Sequence, residues 1–170
     1  MKKLLLASLV VALFAGFAIA QPADVTSNVD VQVTVNGVWT LTLDNNAVDF
    51  GILEPGDVAT PADIVATVRT NQKIAWYLKL NKDQDLTNTT IPGEVFPSAN
   101  FTYAGSGGAG VWANGTFNLL PTTAYTADAA EYKNLGAGTA LTTTLSLTVP
   151  APAVAGVYTN TITYTLTATP

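Results

Sequence analysis

Between Val29 and Leu43 the chain alternates with a period of two. Val29, Val31, Val33, Val35, Gly37, Trp39, Leu41 and Leu43 fall on one side; Asp30, Gln32, Thr34, Asn36, Val38, Thr40 and Thr42 fall on the other. The first side is apolar and the second almost wholly polar, as in a half-buried β-strand. Asn36-Gly37 interrupts the run and is a strong hairpin signal. A two-residue hairpin there would set Thr34 against Trp39 and mix the faces, so it is rejected. Two arrangements keep the faces matched. One is a three-residue loop with Gly37 left-handed, pairing Val33 with Trp39 and Val31 with Leu41. The other is a continuous or hinged strand, roughly 50 Å long at about 3.3 Å per residue, which exceeds an ordinary strand and would cross more than one sheet or more than one subunit.

The same alternation returns further along. Asp63 to Thr70 sets Ile64, Ala66 and Val68 on one face, and Lys73 to Leu80 does so with Ile74, Trp76, Leu78 and Leu80; Asn71-Gln72 between them predicts a hairpin. Turns are expected at Asp44-Asn45-Asn46 and Pro55-Gly56. From Asn81 to about Gly138 the pattern weakens to short pieces at Asn100–Tyr103, Gly110–Trp112 and Thr116–Leu120, with long connections that include Thr122 to Leu135. A short helix fits only at Ala127–Lys133. Leu141 to Val149 and Val157 to Thr169 are clear strands, the latter with Tyr158, Ile162, Tyr164 and Leu166 opposite a row of threonines. With no long amphipathic helix, the class is all-β, and the spacing of strands and turns predicts a single Ig-like antiparallel β-sandwich.

The first twenty residues change the picture. Lys2-Lys3, the apolar run Leu4–Ile19 and Ala18-Ile19-Ala20 have the form of a cleavable export signal over residues 1–20. The expected organisation is then a signal peptide (1–20), an N-terminal extension and candidate donor strand (21–36), and a β-sandwich domain (37–170). No later apolar run could span a bilayer, so no membrane span is expected after cleavage, and the expected location is extracellular, at the cell surface. Setting aside Lys2 and Lys3, five basic residues face 12 acidic ones, net −7, which excludes a nucleic-acid footprint. Cysteine and histidine are absent. The fold must hold by packing without disulfides, and the commonest general base and zinc ligand are missing.

Candidate chemistry is correspondingly sparse. Asp83, Asp85 and Asn88 have a D-x-D spacing but lack the glycine and closing glutamate of a calcium loop, and Asp44, Asn46 and Asp49 read the same way. No metal or cofactor is expected. Gly105 to Gly110 lacks the Lys-Ser/Thr of a phosphate loop. The sequons at Asn88, Asn100 and Asn114 are close to the chance number, and the threonine row follows from β-propensity. Glu54 with Asp57, or Glu94 with Glu131, could meet in a cleft, but no spacing demands it, so an enzyme is not expected. Trp39 and Trp76 lie in phase with core faces. Tyr103 and Trp112, beside the glycine-rich loop, are the candidate exposed aromatic contacts.

The order of four features resembles that of fimbrial-subunit and spore-coat-U-like secreted β-sandwich proteins. These are the long first strand, Val48-Asp49-Phe50-Gly51 with Pro55-Gly56, the Thr70-Asn71…Trp76-Tyr77-Leu78 segment, and Pro152 to Thr161 before the last strand. The resemblance implies an Ig-like sandwich that can lack a strand and polymerises when a neighbour's N-terminal extension fills the gap. This chain departs from the pattern in having no cysteine pair, and in ending Ala168-Thr169-Pro170 without a penultimate tyrosine, which argues against a dedicated chaperone. On this reading Val29, Val31, Val33 and Val35 enter a neighbour's groove and Gly37 is the hinge. The same valines could instead fill their own core. The expected function is a fimbria- or filament-type structural subunit that partners with itself. The alternative is a monomeric module binding a surface glycan or protein through the 104–120 loops.

Overall fold

The structure is a computed structural model that describes residues 26–170. The expected export signal (1–20) and residues 21–25 of the extension lie outside the described residues. Residues up to Val35 form one unit and Asn36–Pro170 another.

In chain order the strands of the second unit are β1 (Trp39–Leu43), β2 (Ala62–Thr70), β3 (Tyr77–Lys82), β4 (Leu86–Asn88), β5 (Val95–Phe96) and β6 (Phe101–Gly107). They continue as β7 (Val111–Trp112), β8 (Gly115–Thr116), β9 (Thr122–Thr126), β10 (Thr139–Leu147), β11 (Tyr158–Thr159) and β12 (Ile162–Thr167). One sheet has the order β1-β2-β10-β6-β8, a second β12-β3-β9-β7, and a small third sheet is β11-β4-β5. All pairings are antiparallel. The protein is an all-β antiparallel sandwich.

Alternation dictates what is buried. Ile64, Ala66 and Val68 of β2 and Leu141, Leu145 and Leu147 of β10 line the first sheet's inner face. Leu78 and Leu80 of β3 oppose them with Trp76, Ala124 and Tyr125. Thr70 and Thr143 share the inner faces with these apolar residues and are fully buried.

Four expectations are corrected. The Val29–Leu43 alternation forms a ladder only over Trp39–Leu43; residues 26–38 pair with nothing in a sheet, so neither a continuous strand nor a hairpin is present there. β2 and β3 do not form a hairpin: β2 lies in the first sheet and β3 in the second, and Asn71–Trp76 crosses between them. The Thr122–Leu135 stretch, expected as a connection, contains β9. Its Ala124 and Tyr125 are adjacent yet both buried, because a bulge opposite Leu78/Lys79 shifts the register there. The expected short helix at Ala127–Lys133 is a single 3-10 turn, Ala129–Glu131, closed by a capping box from Asp128.

Candidate functional site

The two sides of the sandwich are finished differently. On the side of β6, β7 and β9 the gap between the sheets is sealed by aromatic rings. The Trp112 indole lies on Gly105 of β6, where a Cβ would come within 1.8 Å of the ring, and packs on Tyr125 with centroids 5.0 Å apart. Phe117 fills the space beside Phe101 and Tyr103, at 5.1 and 4.8 Å. The Tyr125 hydroxyl accepts from the Gly110 N–H at 2.7 Å and donates to Glu131 Oε2 at 2.5 Å.

On the opposite side, β1 and β12 face one another, and each pairs on one flank only among the described residues. Their inward-facing residues, Trp39 and Leu41 on β1 and Ile162, Tyr164 and Leu166 on β12, are only half-buried; Leu43 is 38% exposed. A recess of about 480 Å³ opens where the two strands meet, lined by Trp39, Gln72, Ile74, Leu166, Thr167 and Ala168. This seam is apolar and flanked by free backbone edges.

The phase of those edges follows from the hydrogen bonds already made. Val38 accepts from the Asn71 N–H and Asp44 donates to Val65 O, so even-numbered residues of β1 turn their backbone groups toward β2. Alternation then points the N–H and C=O of Trp39, Leu41 and Leu43 outward. On β12, Thr161 accepts from the Asp83 N–H, which leaves Ile162, Tyr164 and Leu166 as the outward-facing set. On both strands, the residues that turn their side chains to the core also offer the free edge.

Below the seam, two hydroxyls, Thr143 Oγ1 and Tyr164 OH, are buried with no hydrogen-bond partner. Burial raises the Tyr164 pKa, and Asp44 adds to the rise. Such orphaned groups cost stability where they lie.

A second recess, of about 880 Å³, lies at the β3–β4 turn and includes Phe117, Leu119 and Leu120 in its wall. Its polar residues are occupied with one another. Lys82, 4% exposed, donates through its ammonium to Asp85 Oδ1 and Ser98 Oγ, and Ser98 donates to Asp85 at 2.8 Å. The bond from Lys82 holds the Asp85 carboxyl below its ordinary pKa, against burial, and Ser98 assists. Asp83 accepts from the Gln84 and Thr161 N–H groups, each at 2.8 Å. Asp83 and Asp85 are therefore structural. Among the described residues, no group of three or more carboxylates could hold a metal ion, and no helix is long and apolar enough to cross a membrane.

The sequence-derived sites separate accordingly. Val29, Val31, Val33 and Val35 are 83, 88, 82 and 76% exposed. Gly37 lies at the start of the sandwich unit under the Gln72 side chain. Tyr103, expected as a surface contact, is instead buried against Phe117, and burial raises its pKa. Trp112 is half-buried, donates from Nε1 to Gly107 O at 3.0 Å and rests its ring on Gly105 and Tyr125. Sequence reasoning missed the edges of β1 and β12 as a pair. Threonine-apolar alternation at Ile162–Thr167 was the available signal, but it reports a face and not an unpaired edge.

The fold and the seam thus define a β-sandwich with one side left unsealed. No protein-family model matches the chain, and no curated protein matches it significantly.

Proposed function

We propose that this protein is an exported structural subunit that assembles at the cell surface into fimbria- or filament-type chains, the N-terminal arm of one copy inserting as a strand into the β1–β12 seam of the next. The observation that carries the reading is the match of phase. Val29, Val31, Val33 and Val35 recur every second residue and are exposed, and the seam offers in-phase positions at Trp39, Leu41 and Leu43 and at Ile162, Tyr164 and Leu166. A strand laddered on either edge with its valines inward places three of the four valines directly opposite core-facing residues. Burying four valines at about 1.5 kcal/mol each stabilises a joint by about 6 kcal/mol before ordering costs.

The test compares protein lacking residues 1–20 with protein lacking residues 1–35, by gel filtration and negative-stain imaging. The longer form is expected to give ladders or fibres and the shorter a folded monomer. Fibres from the shorter form, or a lone monomer from the longer, overturn the proposal. A monomer retained on polysaccharide would favour the glycan-binding alternative.

A further inference from the structure

A donor arm joined to its own sandwich by a short linker has a nearer target than any neighbour. Were the chain to reverse at Asn36-Gly37, Val33, Val31 and Val29 would come opposite Trp39, Leu41 and Leu43 of the same copy. Such an intramolecular site presents itself at an effective concentration on the order of millimolar. Chains would then form only at comparable protein concentration unless something disfavours the reversal.

We infer that Asn71 is a positioning residue that holds Asn36–Val38 out of that reversing turn and so leaves the arm available to a second copy. The inference rests on the assembly reading above. Asn71 makes three bonds to this short segment. Its Nδ2 donates to Asn36 O at 2.9 Å, its Oδ1 accepts from the Val38 N–H at 2.7 Å, and its own N–H donates to Val38 O at 3.3 Å. The Asn36 carbonyl is thereby drawn to the β2 side of β1, away from the outer edge along which a returning arm would run. Gly37 is not among the glycines with positive φ, whereas the three-residue hairpin loop requires a left-handed residue there. The end of the flexible Gln72 side chain lies 2.9 Å from where a Gly37 Cβ would be, and can swing aside from one.

The clamp is itself held in place. Thr70 donates from its N–H to Asn134 Oδ1 at 2.8 Å, Asn134 returns a bond to Thr70 O at 2.9 Å, and Lys73 donates to Tyr132 O at 3.0 Å. Lys73 has a φ of 54°, unusual for a residue with a side chain. The connection carrying Asn71 is therefore pinned on both sides, and reversal of the arm would have to break side-chain bonds to a fixed partner.

The experiment uses protein lacking residues 1–20 in three forms: wild type, Asn71→Asp and Asn71→Ala. Asn71→Asp keeps the acceptor for Val38 and loses the donor to Asn36; Asn71→Ala loses both. At equal concentration both variants are expected to convert chains to monomers, with polymer yield falling on the order of tenfold. The monomers should have arms resistant to limited proteolysis. Adding Gly37→Val, whose branched side chain disfavours the left-handed turn, should restore chains; a residue serving stability alone would not be rescued this way. Variants that polymerise like wild type, or folded monomers with protease-sensitive arms, overturn the role of Asn71 while leaving the assembly reading intact. If Asn71→Ala fails to fold, Asn71→Asp decides. A monomeric wild type, or fibres from protein lacking residues 1–35, sinks the assembly reading itself.

Discussion

Trp112 lies against Gly105 so closely that a Cβ on the glycine would come within 1.8 Å of the indole. The ring starts from β7 in one sheet and rests on β6 in the other, so this contact closes one side of the sandwich. Glycine is needed at 105 because the ring occupies the position of a side chain.

Gly105→Ala should therefore displace Trp112 and cost about 1–3 kcal/mol, the usual penalty of overpacking. Urea unfolding followed by tryptophan fluorescence would measure it. An unchanged midpoint would mean that the ring can move aside freely. The β1–β12 seam lies on the other side, so assembly is expected to survive the substitution.

The Tyr125–Glu131 pair supports the same side. Glu131 accepts from the Tyr125 hydroxyl at 2.5 Å, from the Asp128 N–H at 2.9 Å and, through Oε1, from the Ala109 N–H at 2.9 Å. Tyr125→Phe leaves the Gly110 N–H without its acceptor and Glu131 short of a donor, and should cost about 1.5–3 kcal/mol. Glu131→Ala should cost more, since two backbone donors lose their partner. The double variant should fall short of the sum, because the residues act through one network. Burial, and then Glu131, raises the Tyr125 pKa. A tyrosine pKa raised on folding stabilises below its unfolded value of about 10 and loses that contribution as pH rises through the folded value. Alkaline unfolding should therefore be less steep in Tyr125→Phe.

The Lys82–Asp85 pair predicts behaviour in acid. Asp85's pKa is lowered chiefly by its bond from Lys82, so its contribution is complete above the unfolded value of about 3.9 and is lost as pH falls through the lower folded value. Asp85→Asn removes the counter-charge of the buried Lys82; with the Asp85 side chain 37% exposed and screened by solvent, the change should cost about 1 kcal/mol at neutral pH. Below pH 4 its stability should fall less steeply than that of wild type. Denaturation midpoints between pH 2 and 7 would show it, and parallel curves would count against the pair.

Legibility in the sequence divided along physical lines. The inward sets Ile64/Ala66/Val68 and Leu141/Leu145/Leu147 were readable from alternation, because a strand's two faces are a local property of the backbone. β9 was not, since its bulge buries both Ala124 and Tyr125 and erases the period. Tyr103 suggested a surface contact because glycines follow it, yet its own parity with Phe101 places it inside. The crossing at Asn71–Trp76 resembled a tight turn because turn residues mark a change of direction without saying which sheet receives the next strand.

By itself the sequence determined the all-β class and the facing of most long strands, including the unbroken rhythm of valines ahead of Gly37. These follow from side chains alternating along a backbone, which any stretch of chain displays on its own. Only the tertiary structure decided that β1 and β12 end their sheets side by side with no strand between them among the described residues, and that Asn71 bonds the segment leading into β1. Edges and clamps depend on pairings between residues distant in the chain, and that information is not carried by the periodicity of any one segment.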